Sequence, residues 1–177
     1  MSSIQSRIND HIRTIPDFPK PGIQFKDITP ILYHPELCSD IVDALIEPFS
    51  NHPIDVVVGI ESRGFIFGMM MAQRLDCSFA LVRKKGKLPY KTIEREYDLE
   101  YGTAIIEMHE DAVHSNNNVL IHDDLLATGG TAGAAAALIS DLGANIVGFN
   151  FLIELEFLAG AKKLEPYTGE VISLVKY

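Results

Sequence analysis

Cysteine is scarce in this sequence. Cys38 and Cys77 occur without any Cys-x-x-Cys spacing, which excludes a disulfide scaffold or a zinc ribbon and makes a reducing cytoplasm the expected setting. Basic residues are also in short supply. Lys and Arg number 15 against 24 Asp and Glu, a net charge of −9, so general nucleic-acid binding, which needs a basic surface, is not expected. No apolar run reaches membrane-spanning length and residues 1–8 lack the apolar core of a signal peptide, so neither a membrane association nor export is expected. A P-loop ending in Gly-Lys-Thr or Gly-Lys-Ser is missing, as is G-x-G-x-x-G after a strand, which removes two common nucleotide motifs. The spacing of His109 and His114 would not place them on one helix face, so a zincin site is excluded and the segment reads as polar surface. Internal repeats are absent. What is present is a hydrophobic fraction of 47%, enough for one sizeable core and one domain over residues 1–177.

The most informative stretch is 119–131. Val119, Leu120 and Ile121 follow the turn-forming 115–118 and read as a buried parallel strand. No Lys or Arg neighbour in sequence accompanies Asp123 or Asp124, so burying both would be costly and the strand is expected to stop there, at its open carboxyl end. Ligands bind at that end in open α/β sheets. Ala127 and Thr128-Gly129-Gly130-Thr131 then lead into an Ala-rich run with the composition of a helix. Glycines at a helix start let successive amides and flanking hydroxyls converge on an anion, which the helix dipole favours. Adjacent acids suit a vicinal diol. A ribose 5-phosphate fits both halves.

The remaining elements alternate. A helix is expected at 4–12, ended by Pro16 and Pro19, followed by an ordered loop over 17–30 with an extended piece at 23–26. A helix is expected at 35–49, with Leu37, Ile41, Ala44, Leu45 and Pro48 inward, then a buried strand at 55–60 and a helix at 65–75 whose Met69, Met70 and Met71 fill core. Arg63, between that strand and that helix, offers a fixed fork of donors to an anion. Further strands are expected at 78–82, 103–108, 145–155 and 171–175, with a short helix at 157–164. Arg83, Lys84, Lys85, Lys87 and Lys91 cluster in this acidic chain. By itself such a run reads as a solvated loop or a nucleic-acid patch, and beside a phosphate site it favours a polyphosphate. Residues 84–102 carry charge, Pro and Gly and little apolar surface, so a mobile hairpin closing over the site is expected. Phe25 alone reads as core, and Lys26 as surface.

Residues 119–131 resemble the diphosphoribosyl-binding signature of the type I phosphoribosyltransferases, and three further segments are similar to the adenine-specific branch of that family. Residues 21–28 resemble its base-binding segment, Glu61-Ser62-Arg63-Gly64 its pyrophosphate loop, and Leu99-Glu100-Tyr101-Gly102 its catalytic loop. The resemblance implies a twisted, mainly parallel α/β sheet flanked by helices, with a small hood and a flexible loop. It implies transfer of a phosphoribosyl group from phosphoribosyl diphosphate to adenine, with Mg²⁺ carried mainly by the diphosphate and a homodimeric assembly. Catalytic roles fall to Glu100, which manages the purine N7 proton, and to Arg63 and Lys87 at the leaving group. Glu61, Ser62, Arg63, Lys87, Tyr101, Asp123, Asp124, Ala127, Thr128, Gly129, Gly130 and Thr131 would hold phosphoribosyl diphosphate, and Gln24, Phe25, Lys26 and Leu125 the adenine. A cis peptide between Glu61 and Ser62 is implied as well. No protein-held metal is expected. The alternatives are another base specificity, or a non-catalytic phosphoribosyl diphosphate sensor that regulates transcription.

Overall fold

A computed structural model of the chain describes residues 3–98, 102–168 and 170–177. Its first helix, α1 (Ile4–His11), is capped by Ser3, whose side chain accepts the Ser6 N–H at 3.2 Å, a bond worth about 1 kcal/mol. Ile8 is its buried residue. Strand β1 (Arg13–Pro16) then pairs antiparallel with β2 (Gln24–Asp27), Arg13 lying opposite Asp27 and Pro16 opposite Gln24. The extended piece expected near 23–26 is β2. Its partner β1 gives no local signal, because Ile15 is its sole aliphatic residue and Pro is tolerated only at a strand edge.

Helix α2 (Pro35–Ile46) buries Leu37, Cys38, Ile41, Val42 and Leu45. It is shorter than expected. Residues Glu47–Phe49 tighten into a 3-10 turn, and the change of period turns Pro48 outward and Phe49 inward. Strand β3 (Val56–Ile60) is buried throughout and feeds α3 (Gly64–Leu75). Only Met71 of the three methionines is fully inside, whereas Met69 is 52% exposed, since consecutive helical residues diverge by about 100°.

The chain continues through β4 (Ser78–Lys84), β5 (Thr92–Asp98), β6 (Thr103–His109), β7 (Asn118–Leu126), α4 (Gly130–Asp141), β8 (Asn145–Glu154) and β9 (Val171–Lys176). Between the last two strands, two 3-10 turns at Glu156–Leu158 and Gly160–Lys163 replace the expected short helix. Ala159, at φ 51°, separates them.

Among the described residues β3 to β9 form one sheet in the order β5-β6-β4-β3-β7-β8-β9. All pairings from β4 to β9 through β3 are parallel, and the β5–β6 hairpin is antiparallel to itself and to β4. Burial on both faces explains the apolar runs of the central strands. Val56, Val58 and Ile60 face the cluster containing the α4 alanines, while Val57 joins Phe67 and Met71 of α3 and the inner side of α2. The hairpin is better anchored than its charged sequence suggests. Ile93 and Tyr97 pack against the α4 side, the Thr131 hydroxyl donates to the Tyr97 oxygen at 3.2 Å, and Arg95 pairs with Asp141 at 2.6 Å.

Candidate active site

The acidic pair does not end its strand. β7 runs on to Leu126, Asp124 is only 4% exposed and Asp123 is half-buried. The desolvation cost that argued against burial is met by a cation from another strand end: Arg63 Nε lies 2.9 Å from Asp124 Oδ2. That contact is ionic, without an aligned N–H bond to the oxygen. Asp123 Oδ1 accepts the Asp124 N–H at 2.8 Å. Burial, and after it the charge of Asp124, push the Asp123 carboxyl well above the usual carboxylate range. Burial raises Asp124 too, against the pull of Arg63. Two acids that resist full ionisation together are poised for a partner that donates hydrogen bonds or carries positive charge.

Beyond the acids the chain turns into α4 with Gly129 at φ 74° as the residue before the helix. A hollow of about 70 Å³ lies there, lined by Asp123, Leu125 and residues 126–132. Two backbone segments press together beside it. A Cβ on Gly129 would stand 2.4 Å from the Gly160 carbonyl oxygen, and one on Gly160 would stand 2.2 Å from the Ala127 oxygen. The 3-10 turn after β8 therefore braces the loop from behind. The first amides of α4 have no partner within the helix, which suits an anion. A larger hollow of about 450 Å³ lies between α1 and the start of α2, lined by Arg7, His11 and Tyr33 among others. None of the acids or glycines above reaches it.

On the other side of the acids is the loop between β3 and α3. The Glu61–Ser62 peptide is cis, as the resemblance implied. Gly64 is packed so closely that a Cβ would meet the His122 carbonyl oxygen at 2.8 Å, which holds the loop against β7. Ser62 is exposed. The Glu61 carboxylate turns away to β4, where Oε2 accepts the Lys84 N–H at 2.9 Å and Arg83 Nε at 3.2 Å. Lys87 is exposed just beyond. Arg63 faces two ways: its guanidinium carbon is 5.2 Å from the centre of the Phe25 ring, within cation–π range. Phe25 also meets Phe18 edge-on at 5.2 Å. Lys26 Nζ donates to the Thr14 hydroxyl at 3.1 Å and sits 3.9 Å over the Tyr177 ring, whose hydroxyl donates to Asn9 at 2.6 Å. Gln24 is exposed on the same strand and Leu125 is half-buried at the hollow. Glu100 and Tyr101 lie outside the described residues.

Behind the acids, His122 is fully buried. Its Nδ1 faces two oxygens of Asn150, Oδ1 at 2.8 Å and the carbonyl at 3.1 Å, so Nδ1 carries the proton. Burial pushes its pKa down to about 4, and the ring is neutral.

The arrangement has clear relatives. The phosphoribosyl transferase domain family matches residues 29–174. An adenine phosphoribosyltransferase of Christiangramia forsetii is 51% identical over 96% of this chain and 98% of its own length. The chain belongs to the adenine phosphoribosyltransferase family. The crystal structure of adenine phosphoribosyltransferase from Rhodothermus marinus superposes with a TM-score of 0.93 at 53% identity, covering 98% of each chain. That from Saccharomyces cerevisiae, complexed with an imino-altritol bisphosphate and adenine, superposes at 0.91 with 40% identity over 98% of this chain and 99% of its own.

Several supports of this candidate site escape a reading of the sequence. Gly160 and Tyr177 gave no signal, because each acts on a segment far away in sequence. Glu107 did leave one: a charge between Ile106 and Met108 in a mostly apolar strand needs a buried partner.

Proposed function

We propose that this chain transfers the 5-phosphoribosyl group of phosphoribosyl diphosphate to adenine, releasing AMP and diphosphate in purine salvage. One observation carries the reading: the acid pair stands between the glycine-containing hollow at residues 126–132 and an Arg63 that touches Asp124 and faces Phe25. This is the order of phosphate, ribose and base along a nucleotide. Residues 127–131 hold the 5-phosphate, whose binding energy is remote from the reacting carbon. Asp123 and Asp124 accept from the ribose hydroxyls and favour the cationic sugar that develops as the C1 bond to diphosphate breaks. Arg63 and Lys87 receive the negative charge of the leaving group, with the Glu61–Ser62 peptide alongside. Phe25 stacks on the purine, while Gln24, Lys26 and Leu125 border it. Glu100, with Tyr101 beside it in sequence, manages the N7 proton.

Among the described residues no group of three or more His, Cys, Asp or Glu is placed to hold a metal ion, and Asp124 is already engaged by Arg63. Mg²⁺ is assigned to the diphosphate oxygens, as the resemblance implies, where it would offset their charge. The working form is a homodimer: α3 exposes Met69, and a hollow of about 420 Å³ lined by Val42, Met70, Gln73 and Arg74 lies on its outer side. A net charge of −9 supports small-molecule rather than nucleic-acid partners. Cys38 and Cys77 are free thiols, and no helix of the described residues is long and apolar enough to cross a membrane; a cytoplasmic location is consistent with both.

A 6-oxopurine needs a donor to O6, and residues 149–161 contain no Lys, so hypoxanthine leaves an acceptor unpaired. Turnover with phosphoribosyl diphosphate, Mg²⁺ and a panel of bases tests the reading. Adenine is expected to be preferred strongly, and comparable turnover of hypoxanthine would refute the assignment. Replacing Glu100 by Gln is expected to lower kcat more than it raises KM.

A further inference from the structure

Glu107 is 3% exposed, a carboxylate inside the sheet without a role in the chemistry above. On β6 it stands opposite Arg83 of β4 and Glu94 of β5. Its Oε1 accepts two consecutive amides of the turn after β4, Lys87 N–H and Leu88 N–H, each at 2.8 Å. Gly86, at φ 81°, curls that turn so its amides converge, the geometry of an anion-binding nest. Burial is the largest influence and pulls the carboxyl up, but the amides of the turn together hold it below its ordinary range. The other face of the turn is gripped as well. Arg83 Nη1 donates to the Lys87 carbonyl at 3.1 Å while its Nε is held by Glu61, the residue before Ser62 and Arg63.

We propose that Glu107 is a positioning residue that fills the amide nest of the turn at 86–88 and thereby fixes the backbone of Lys87, so that its ammonium, and not the turn's amides, meets the diphosphate. The inference rests on the assignment of Lys87 to the leaving group. Glu107 touches no substrate. An internal carboxylate in the nest keeps a strong anion site from capturing diphosphate in an unproductive pose, and with Arg83 it clamps both the N–H and the C=O of Lys87. The clamp also ties the turn to the Glu61–Ser62 loop, so the two parts that face the leaving group move as one unit.

The test is steady-state kinetics of Glu107→Gln, Lys87→Ala and the double variant, each confirmed folded by circular dichroism. Glu107→Gln is expected to raise KM for phosphoribosyl diphosphate and lower kcat, together about tenfold in kcat/KM, with KM for adenine unchanged. In the Lys87→Ala background the same change is expected to cost less than twofold, since the two act as a unit. Inorganic diphosphate should inhibit a Glu107→Ala variant more tightly than the parent, because removing the whole side chain opens the nest to it. Additive effects in the cycle, or equal rises in both KM values, would overturn the proposal while leaving the role of Lys87 intact. A Lys87→Ala enzyme with unaltered kinetics toward phosphoribosyl diphosphate would sink both. If Glu107→Gln does not fold, Gly86→Ala serves: its Cβ meets nothing within 4 Å, so it disturbs only the turn. It should reproduce the rise in KM for phosphoribosyl diphosphate, and an unchanged KM would overturn the proposal.

Discussion

The loop at 127–131 follows β7 and the turn at 86–88 follows β4, two strands with β3 between them, and the proposed reaction brings both to the same ligand, yet they are made from different materials. The first is backbone braced by backbone: Gly129 and Gly160 approach until neither has room for a Cβ, and α4 begins on the next residue. The second is backbone held by side chains, with Glu107 on its amides and Arg83, itself held by Glu61, on its carbonyl. A cradle of packed backbone has no rotamers to lose and suits a group that stays bound from substrate to product. A turn held by charged side chains keeps a stem, Lys87, free to follow a leaving group. The difference predicts that the cradle fails abruptly when altered and the turn fails by degrees.

The abrupt failure is expected for Gly129→Ala. Its Cβ would collide with the Gly160 carbonyl at 2.4 Å, and φ is 74°, so the loop must move. A shift of this size should cost about 100-fold in kcat/KM for phosphoribosyl diphosphate, or about 2.7 kcal/mol, measured against adenine KM as the internal reference.

Next is acid sensitivity beneath the cradle. His122 titrates near 4 when folded, below its ordinary value of 6.5. The unfolded chain therefore takes up the proton first as pH falls through about 6.5, and stability is lost progressively until the folded pKa is reached. Between pH 7 and pH 5 this amounts to about 2 kcal/mol. Denaturant melts across that window should show the loss in the parent and a much smaller one in His122→Leu.

The graded failure is expected for Glu61→Gln. The amide keeps an acceptor for the Lys84 N–H but weakens the pairing with Arg83, and kcat/KM for phosphoribosyl diphosphate should fall about fivefold, near 1 kcal/mol. A 100-fold loss would erase the distinction between the two regions.

The smallest effect has the opposite sign. Asp123→Asn removes a carboxyl that burial and Asp124 disfavour as a charge, while its oxygen still accepts the Asp124 N–H. The ligand-free protein should melt about 2–4 °C higher at pH 7, for roughly 1 kcal/mol, with impaired turnover. A lower melting temperature would show that the pair is not strained in the empty site.

Legibility follows the same division. The cradle was readable because acids, threonines and glycines that cooperate there are contiguous from Asp123 to Thr131, and a strand-to-helix turn is specified by neighbours. The burial of Asp124 was misjudged for want of one long-range fact, that β3 lies beside β7 in parallel register with Val58 opposite Ile121, which delivers Arg63 to the acids. The sequence suggested a mobile hairpin within 84–102, whereas the paired strands are β5 and β6 over 92–109, and their attachment through Tyr97 to Thr131 and Arg95 to Asp141 depends on α4 packing over them.

By itself the sequence determined the alternation of strands and helices, the anion-ready start of α4 and the acids before it, since each arises from hydrophobic period, backbone permissiveness and charge within a few residues. Only the tertiary structure decided which charges meet: Arg63 with Asp124 and Phe25, Glu61 with Arg83, Glu107 with the turn of Lys87, Lys26 with Tyr177. Those pairings are set by the strand order β6-β4-β3-β7 and by where the β1–β2 pair places Phe25 and Lys26. A local pattern cannot encode them, because the free energy that selects them comes from burying the whole sheet at once.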